Sequence, residues 1–326
     1  MSQPPIPAPQ NTATLRWLAV MVALVCISMI AVAGTRFKAE NPQQALDEGP
    51  HMPCQQEGEC LSFIAFGDSG SGNSNQMAVA AQMASTYADR PFSYALLLGD
   101  NIYDHGDVKQ YGEARFNKPY KPLLDAGVRF VVALGNHDVY KGFGNDQVAF
   151  FNMPGRYYSV ADDSGRVEFF VIDSNTFYTE EIQRQWLESA LAKSTAQWKI
   201  VAGHHPPFTS GAHAGEGDLT KLRNTLVPIL IQHNVDMYLA GHDHNYERFK
   251  NLAGVQYFVT GGAGAWLRDF KHPAAGSLVR IKRYHFMRFD IDAKHLHFQA
   301  IDKDGSVFDQ GQINKTEQAP PSRQAA

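Results

Sequence analysis

Apolar runs of five or six residues recur along this chain, and most stop at a glycine followed by a polar residue. Residues 61–66 (LSFIAF) end at Gly67-Asp68-Ser69-Gly70, 94–98 (YALLL) at Gly99-Asp100, and 129–134 (RFVVAL) at Gly135-Asn136-His137-Asp138. Residues 198–202 lead into Gly203-His204-His205-Pro206, and 235–240 (VDMYLA) into Gly241-His242-Asp243-His244. A short apolar run bounded by turn residues predicts a buried strand, and 167–172 (VEFFVI) predicts one more. Between these runs the apolar spacing becomes helical over 76–87, over 179–193 through Ile182, Trp186, Leu187 and Leu191, and over 219–233. Later the rhythm changes: 255–260, 285–291, 295–301 and 306–309 predict strands joined by short turns. Strands alternating with helices, then strands alone, specify an α/β layered fold with an antiparallel portion at its C-terminal end.

The N-terminus departs from this pattern. Residues 17–34 (WLAVMVALVCISMIAVAG) form one uncharged run, long enough to span a bilayer at the short end of the range. Two readings of 1–34 stay open. As a signal peptide, Arg16 closes the n-region and Ala31-Val32-Ala33 offers a small-x-small cleavage site. As an uncleaved single-span anchor, Trp17 would sit at one interface, with Arg36 and Lys38 at the other. Val25 is too bulky beside Cys26 for a lipoprotein site. Either reading places the rest of the chain outside the cytoplasm: periplasmic, secreted or membrane-anchored. In an oxidising compartment Cys54 and Cys60 would be able to pair across the QQEGE loop, the alternative being two free thiols. Residues 35–58 read as a linker and 313–326 as a polar, disordered tail, leaving 59–312 for one folded domain.

With 44% hydrophobic residues, the chain has ample material for a core, which excludes disorder, collagen and coiled coil as its main architecture. Twenty-nine basic against 33 acidic side chains leave a formal charge of -4 and give no electrostatic case for a nucleic-acid partner. Three cysteines are too few for a disulfide scaffold.

The chemistry stands where the predicted strands end. Five of those ends carry Asp68, Asp100, Asn136 with His137, His204, and His242 with His244. In open α/β sheets, ligands bind outside the carboxyl ends of the strands. One Gly-Asp or Gly-His pair is an ordinary turn, but five ends bearing O and N donors point to metal. Leaving His137 aside, two carboxylates, an amide and three imidazoles suit a borderline-to-hard transition metal and not calcium. The absence of cysteine from the set excludes a thiolate zinc site. A carboxylate can bridge two ions, and a pair of ions about 3.5–4 Å apart is the usual device for phosphoester hydrolysis.

The ordered set GDSG, GDNIY, GNHD, VAGHHPP and GHDHN resembles the metallophosphoesterases of the calcineurin-like fold. Within them it is most similar to the purple acid phosphatases, especially the small mammalian, tartrate-resistant type, with Tyr103 three residues after Asp100 selecting that branch. The resemblance implies two packed mixed β-sheets flanked by helices, and it implies acid phosphatase activity in the 59–312 domain. It also implies an iron held by Asp68, Tyr103, His244 and bridging Asp100, and a second metal held by Asp100, Asn136, His204 and His242. His137 and His213 match the family's substrate-side histidines, and His213 lies in a Gly-containing loop, FTSGAHAG. The donors agree with such an asymmetry. Three anionic oxygens, one of them a phenolate, favour Fe(III), whereas the second position suits Fe(II), Zn(II) or Mn(II). A trivalent ion makes hydroxide available in acid, and that bound hydroxide would attack phosphorus. The substrate would be a phosphorylated small molecule or protein.

An alternative on the same fold is a phosphodiesterase or nucleotide pyrophosphatase with two divalent metals, but a divalent pair does not need the Tyr103 phenolate. A non-enzymatic binding protein would be expected to lack a ligand, and none is missing. Gly261-Gly262-Ala263-Gly264 lacks the lysine of a P-loop and reads as a turn near the site, with Trp266 and Phe270 at core or rim.

Overall fold

The computed structural model describes residues 60–315. The first half alternates as the sequence pattern requires: β1 (Leu61–Phe66), α1 (Ser74–Asp89), β2 (Tyr94–Leu98), α2 (Val108–Gly112), α3 (Lys118–Asp125) and β3 (Arg129–Ala133). Then come α4 (Asn136–Val139), α5 (Gly144–Phe150), β4 (Tyr158–Ala161), β5 (Val167–Val171), α6 (Glu181–Lys193), β6 (Trp198–Ala202), α7 (Gly217–Gln232) and β7 (Met237–Ala240). Strands alone complete the fold: β8 (Tyr246–Phe249), β9 (Gln256–Thr260), β10 (Ser277–Ile281), β11 (His285–Ile291), β12 (His295–Asp302) and β13 (Val307–Asn314).

The strands form two mixed sheets, ordered β13-β12-β11-β1-β2-β3 and β10-β8-β9-β7-β6-β5-β4. In the first, β1, β2 and β3 are parallel and β11 runs antiparallel to β1. In the second, β5, β6, β7 and β9 are parallel, with β4 and β8 antiparallel at either side. The central strands are apolar on both faces because both faces are covered. Along β5, Val167, Phe169 and Val171 enter the larger core cluster, while Phe170 enters the smaller one with Leu187 and Leu191 of α6 and Leu222, Leu226 and Leu230 of α7. Phe63 of β1 meets Phe169 of the other sheet edge-on at 5.1 Å and stacks on Phe289 at 4.7 Å. Each such buried aromatic contributes about 1.5–3 kcal/mol by area alone. The result is a stiff double sheet from which the loops carrying the polar motifs emerge.

Three strands appear that apolar runs do not announce: β4, β8 and β10. β4 and β10 lie at the edges of the second sheet, where only partial burial is needed. β8 (YERF) carries two charged residues, each matched: Arg248 pairs with Asp309 at 2.7 Å, and Glu247 accepts from the Ser210 backbone at 2.7 Å.

The tail expected from 313 begins later. Ile313 and Asn314 belong to β13, opposite Leu296 and His295, and the Lys315 ammonium lies 2.6 Å from Asp236. A sheet ladder recruits polar residues through their backbones, so polarity alone misplaced this boundary.

Cys60 is disulfide-bonded. The apolar run at 17–34, the 35–58 linker and Cys54 lie outside the described residues. Among the described residues no helix is long and apolar enough to cross a membrane.

Candidate metal centre

Five of the parallel strands, β1, β2, β3, β6 and β7, end in tight turns that carry candidate ligands. Asp68 after β1, Asp100 after β2 and His242 after β7 all adopt left-handed backbone, with φ of 58°, 53° and 70°. Non-glycine residues hold that conformation only when the surroundings enforce it, and such positions cluster at functional sites. The flanking glycines are required by space. A Cβ on Gly135 would lie 2.1 Å from Asp100 Oδ1, and one on Gly99 would lie 2.6 Å from His204 Nδ1.

The structure brings the seven expected ligand side chains into two adjacent groups. In the first, Tyr103 Oη stands 3.1 Å from Asp68 Oδ1 and 3.1 Å from His244 Nε2, which is itself 3.3 Å from Asp68 Oδ1. In the second, His204 Nε2 and His242 Nδ1 lie 3.0 and 3.1 Å from the same Asn136 Oδ1, and 3.2 Å from each other. Asp100 sits between the groups. Its Oδ1 is 3.5 Å from His204 Nε2, and its carboxylate also acts on the Tyr103 phenol. His204 and His244 are oriented from behind: their Nδ1 atoms lie 2.8 Å from the carbonyls of Leu98 and Trp266. Backing a ring nitrogen with a carbonyl turns the other nitrogen toward a metal.

The electrostatics fit cations. Burial alone would raise Asp68, but the His244 hydrogen bond and the charges of His244 and His204 hold it below the usual carboxylate range. Burial works to lower His204, yet Asp100 and Asp68 raise it, and His244 is raised against burial by Asp68. The carboxylates therefore draw positive charge into the site. His242 is held well below the ordinary range by burial and by its histidine neighbours, so its imidazole stays neutral and able to ligate. Burial, then Asp100 and Asp68, push the Tyr103 phenol well above its ordinary value. At Asn136 Oδ1, His204 Nε2 and His242 Nδ1, three lone-pair donors converge on a space that one cation satisfies better than any single proton does.

The substrate-side histidines differ. The His137 N–H donates to Asp100 Oδ1 at 3.0 Å, its Nδ1 contacts the Asp104 carbonyl at 2.6 Å, and its ring packs 4.6 Å from Tyr103. His213 stacks on His242 at 4.0 Å, with Nδ1 2.7 Å from Glu216 Oε1 and Nε2 2.9 Å from Arg268 Nη1. His205 stays beside the second group, its ring 4.5 Å from that of His242, while its Nδ1 lies 2.8 Å from Ser174 Oγ.

Sequence reasoning left unassigned several residues that hold the site. Asp138 and Asp243 were visible only as letters inside GNHD and GHDHN. Asp138 accepts N–H bonds from Asn101, Ile102 and Gly135, and burial with the Asp100 charge pushes it up to about 7. Asp243 accepts from the Thr209 hydroxyl and from the His213 N–H at 3.1 Å, fixing the loop that carries His213. The 261–264 turn does lie against the site: the Ala265 N–H donates to the Asp68 carbonyl at 2.8 Å. Trp266 beside it is a rim residue, 59% exposed.

Residues 61–246 match the family model of the calcineurin-like phosphoesterases. Purple acid phosphatase 17 of Arabidopsis thaliana is 30% identical over 281 residues, covering 76% of this chain and 81% of that protein. The chain belongs to the purple acid phosphatases. Tartrate-resistant acid phosphatase type 5 of Sus scrofa is 29% identical over 268 residues, covering 69% of this chain and 76% of its own. Among solved structures, a purple acid phosphatase from yellow lupin (Lupinus luteus) seeds shares the fold, with a TM-score of 0.70 at 21% identity over 82% of this chain and 57% of that one. As a member of the purple acid phosphatases, the chain is a hydrolase of the metallophosphoesterase class. The family match begins with β1 and ends in β8, so it takes in every strand end that bears a candidate ligand.

Proposed function

We propose that this protein is an extracytoplasmic acid phosphatase that hydrolyses phosphoric monoesters at a binuclear Fe(III)–M(II) centre, M being iron, zinc or manganese. The observation that carries this reading is the pair of converging donor groups sharing Asp100. Asp68, Tyr103, His244 and Asp100 would hold the trivalent ion; Asp100, Asn136, His204 and His242 would hold the divalent one. A phenol pushed well above its ordinary pKa by burial and two carboxylates loses its proton only to a strong charge, which supports the trivalent assignment at Tyr103. When bound, the ions would supply Lewis acidity and a nucleophile drawn from water.

The chain's own groups supply the rest. His137 is one-third exposed, and Nδ1 is engaged by a carbonyl, so Nε2 is the nitrogen left to meet a phosphoryl oxygen or the leaving alcohol. Both ring nitrogens of His213 are already engaged, which assigns it to positioning. The donors stand on strand ends of a packed double sheet, so little reorganisation is needed on binding.

Elemental analysis with an aryl phosphomonoester assay tests the reading. Asn136→Ala should lose most of one equivalent of metal and most activity while keeping its circular dichroism; a variant with full metal and full activity would reject the assignment. The location rests on the apolar run at 17–34 and on the disulfide at Cys60, a bond characteristic of oxidising compartments. Fractionation of cells expressing the full chain should find it outside the cytoplasm, and recovery wholly in the cytosol would contradict that.

A further inference from the structure

We propose that Arg268 is a substrate-binding residue whose guanidinium hydrogen-bonds the phosphoryl group at the mouth of the centre, an inference that rests on the phosphatase reading above. The Arg268 N–H donates to the His244 carbonyl at 3.0 Å, which ties the residue to a candidate ligand's own loop. Its Nη1 lies 2.9 Å from His213 Nε2, and His213 in turn stacks on His242 at 4.0 Å. Arg268 is therefore anchored on the loop of one candidate ligand, and its guanidinium is separated from another, His242, by a single stacked imidazole.

Among the described residues no carboxylate forms an ion pair with Arg268, and its Nε is buried there with no acceptor. The adjacent Asp269 is turned away to Lys282, at 2.7 Å. Glu216 lies on the far side of the imidazole, bonded to His213 Nδ1 at 2.7 Å. A partly buried cation left unpaired is costly, so such a group ordinarily has an anion to meet. A guanidinium offers five donors in a planar fork, the geometry that matches phosphate oxygens. Among the described residues only one of those donors meets an acceptor. His213, with one ring nitrogen on Glu216 and the other on Arg268, acts through the arginine by fixing where its fork points. No motif marks Arg268 in the sequence; only the fold brings it beside the histidines.

The test compares metal-loaded wild type, Arg268→Gln and Arg268→Lys. It reads metal content, inhibition by inorganic phosphate, and kcat/KM for phenyl phosphate and glycerol 3-phosphate. The glutamine variant should keep its metal and lose about 10- to 100-fold in phosphate affinity and in kcat/KM, equally for both esters. Lysine should recover part of that loss, since it keeps the charge but not the fork. Unchanged phosphate affinity and kcat/KM in Arg268→Gln would overturn the proposal. So would a loss confined to one ester, which would put the guanidinium on the leaving group, or parallel metal loss in both variants, which would make it a support for the His244 loop. A wild type that hydrolyses neither ester would reject the phosphatase reading instead. Direct calorimetric titration with inorganic phosphate would then decide Arg268: binding lost in the glutamine variant upholds its role, and equal binding ends it.

Discussion

Asp138 gathers five donors: the backbone N–H groups of Asn101, Ile102 and Gly135, and the side-chain amides of Asn101 and Gln147. It thereby ties the turn after β2 to the turn after β3 and sets the distance between Asp100 and Asn136. Asp138→Ala leaves those donors buried without an acceptor, which should cost about 3 kcal/mol or more. It should also loosen metal binding although Asp138 touches no metal position. Urea unfolding with elemental analysis checks this, and a variant with wild-type stability and metal content would show that the five bonds are dispensable. Residues of this kind are hard to find from sequence. Asp68, Asp100 and His204 were legible because each follows an apolar run and a glycine, a pattern tied to strand ends. Asp138 and Asp243 share those motifs, but their importance lies in which backbone groups they meet across the fold, and spacing does not encode that.

At the scale of elements, the buried strands were legible and the polar ones were not. β1, β2 and β6 begin and end where their apolar runs do, because both of their faces are covered. β8 and β10 depend on ladder bonds and matched charges, and the same letters would serve equally well in a loop. β11 carries a further consequence. His285 at its start is fully buried, with Nε2 3.0 Å from Thr260 Oγ1 and Nδ1 2.8 Å from the Arg283 carbonyl, and burial lowers it from 6.5 to about 4. Its folded-state pKa lies below its unfolded value, so the unfolded chain takes up the proton first. Its stabilising contribution is complete above pH 6.5 and is lost as the pH falls toward 4. The loss is about 3 kcal/mol at most, from a shift of this size. His285→Gln should therefore flatten the stability profile between neutral and acid pH, whatever it does at neutrality. Thermal melts across that range would show it, and parallel profiles for the two forms would refute it.

The whole molecule joins two sheets of different origin in the sequence. The parallel strands supply the turns that carry every candidate ligand except Tyr103, which sits in the loop between β2 and α2. Of the strands that follow, β8 and β10 to β13 pair antiparallel, but β9, expected among them from its position after the change of rhythm, runs parallel to β7 because it joins that sheet as a further central strand. Together they complete both sheets, and β9 leads the 261–268 segment over the site. The sequence showed this division as a change of rhythm after residue 250, and the order of motifs showed which ends would meet. It did not show that Arg268 and Trp266, from that later segment, would form the rim, because only the pairing of β9 beside β7 brings them there.

A tyrosinate bound to iron has an optical signature, so the visible spectrum of Tyr103→Phe at acidic pH is the measurement that decides the proposed iron-containing centre. Tyr103 is 3% exposed, and the substitution keeps the ring, so packing should hold. A phenolate on Fe(III) should give the wild type a charge-transfer band and a purple or pink colour; the variant should fold, lose the band, and retain less iron. A colourless, fully active wild type containing only divalent metal would rule out the iron(III) phenolate, and an unchanged band in the variant would show that the phenolate is not Tyr103.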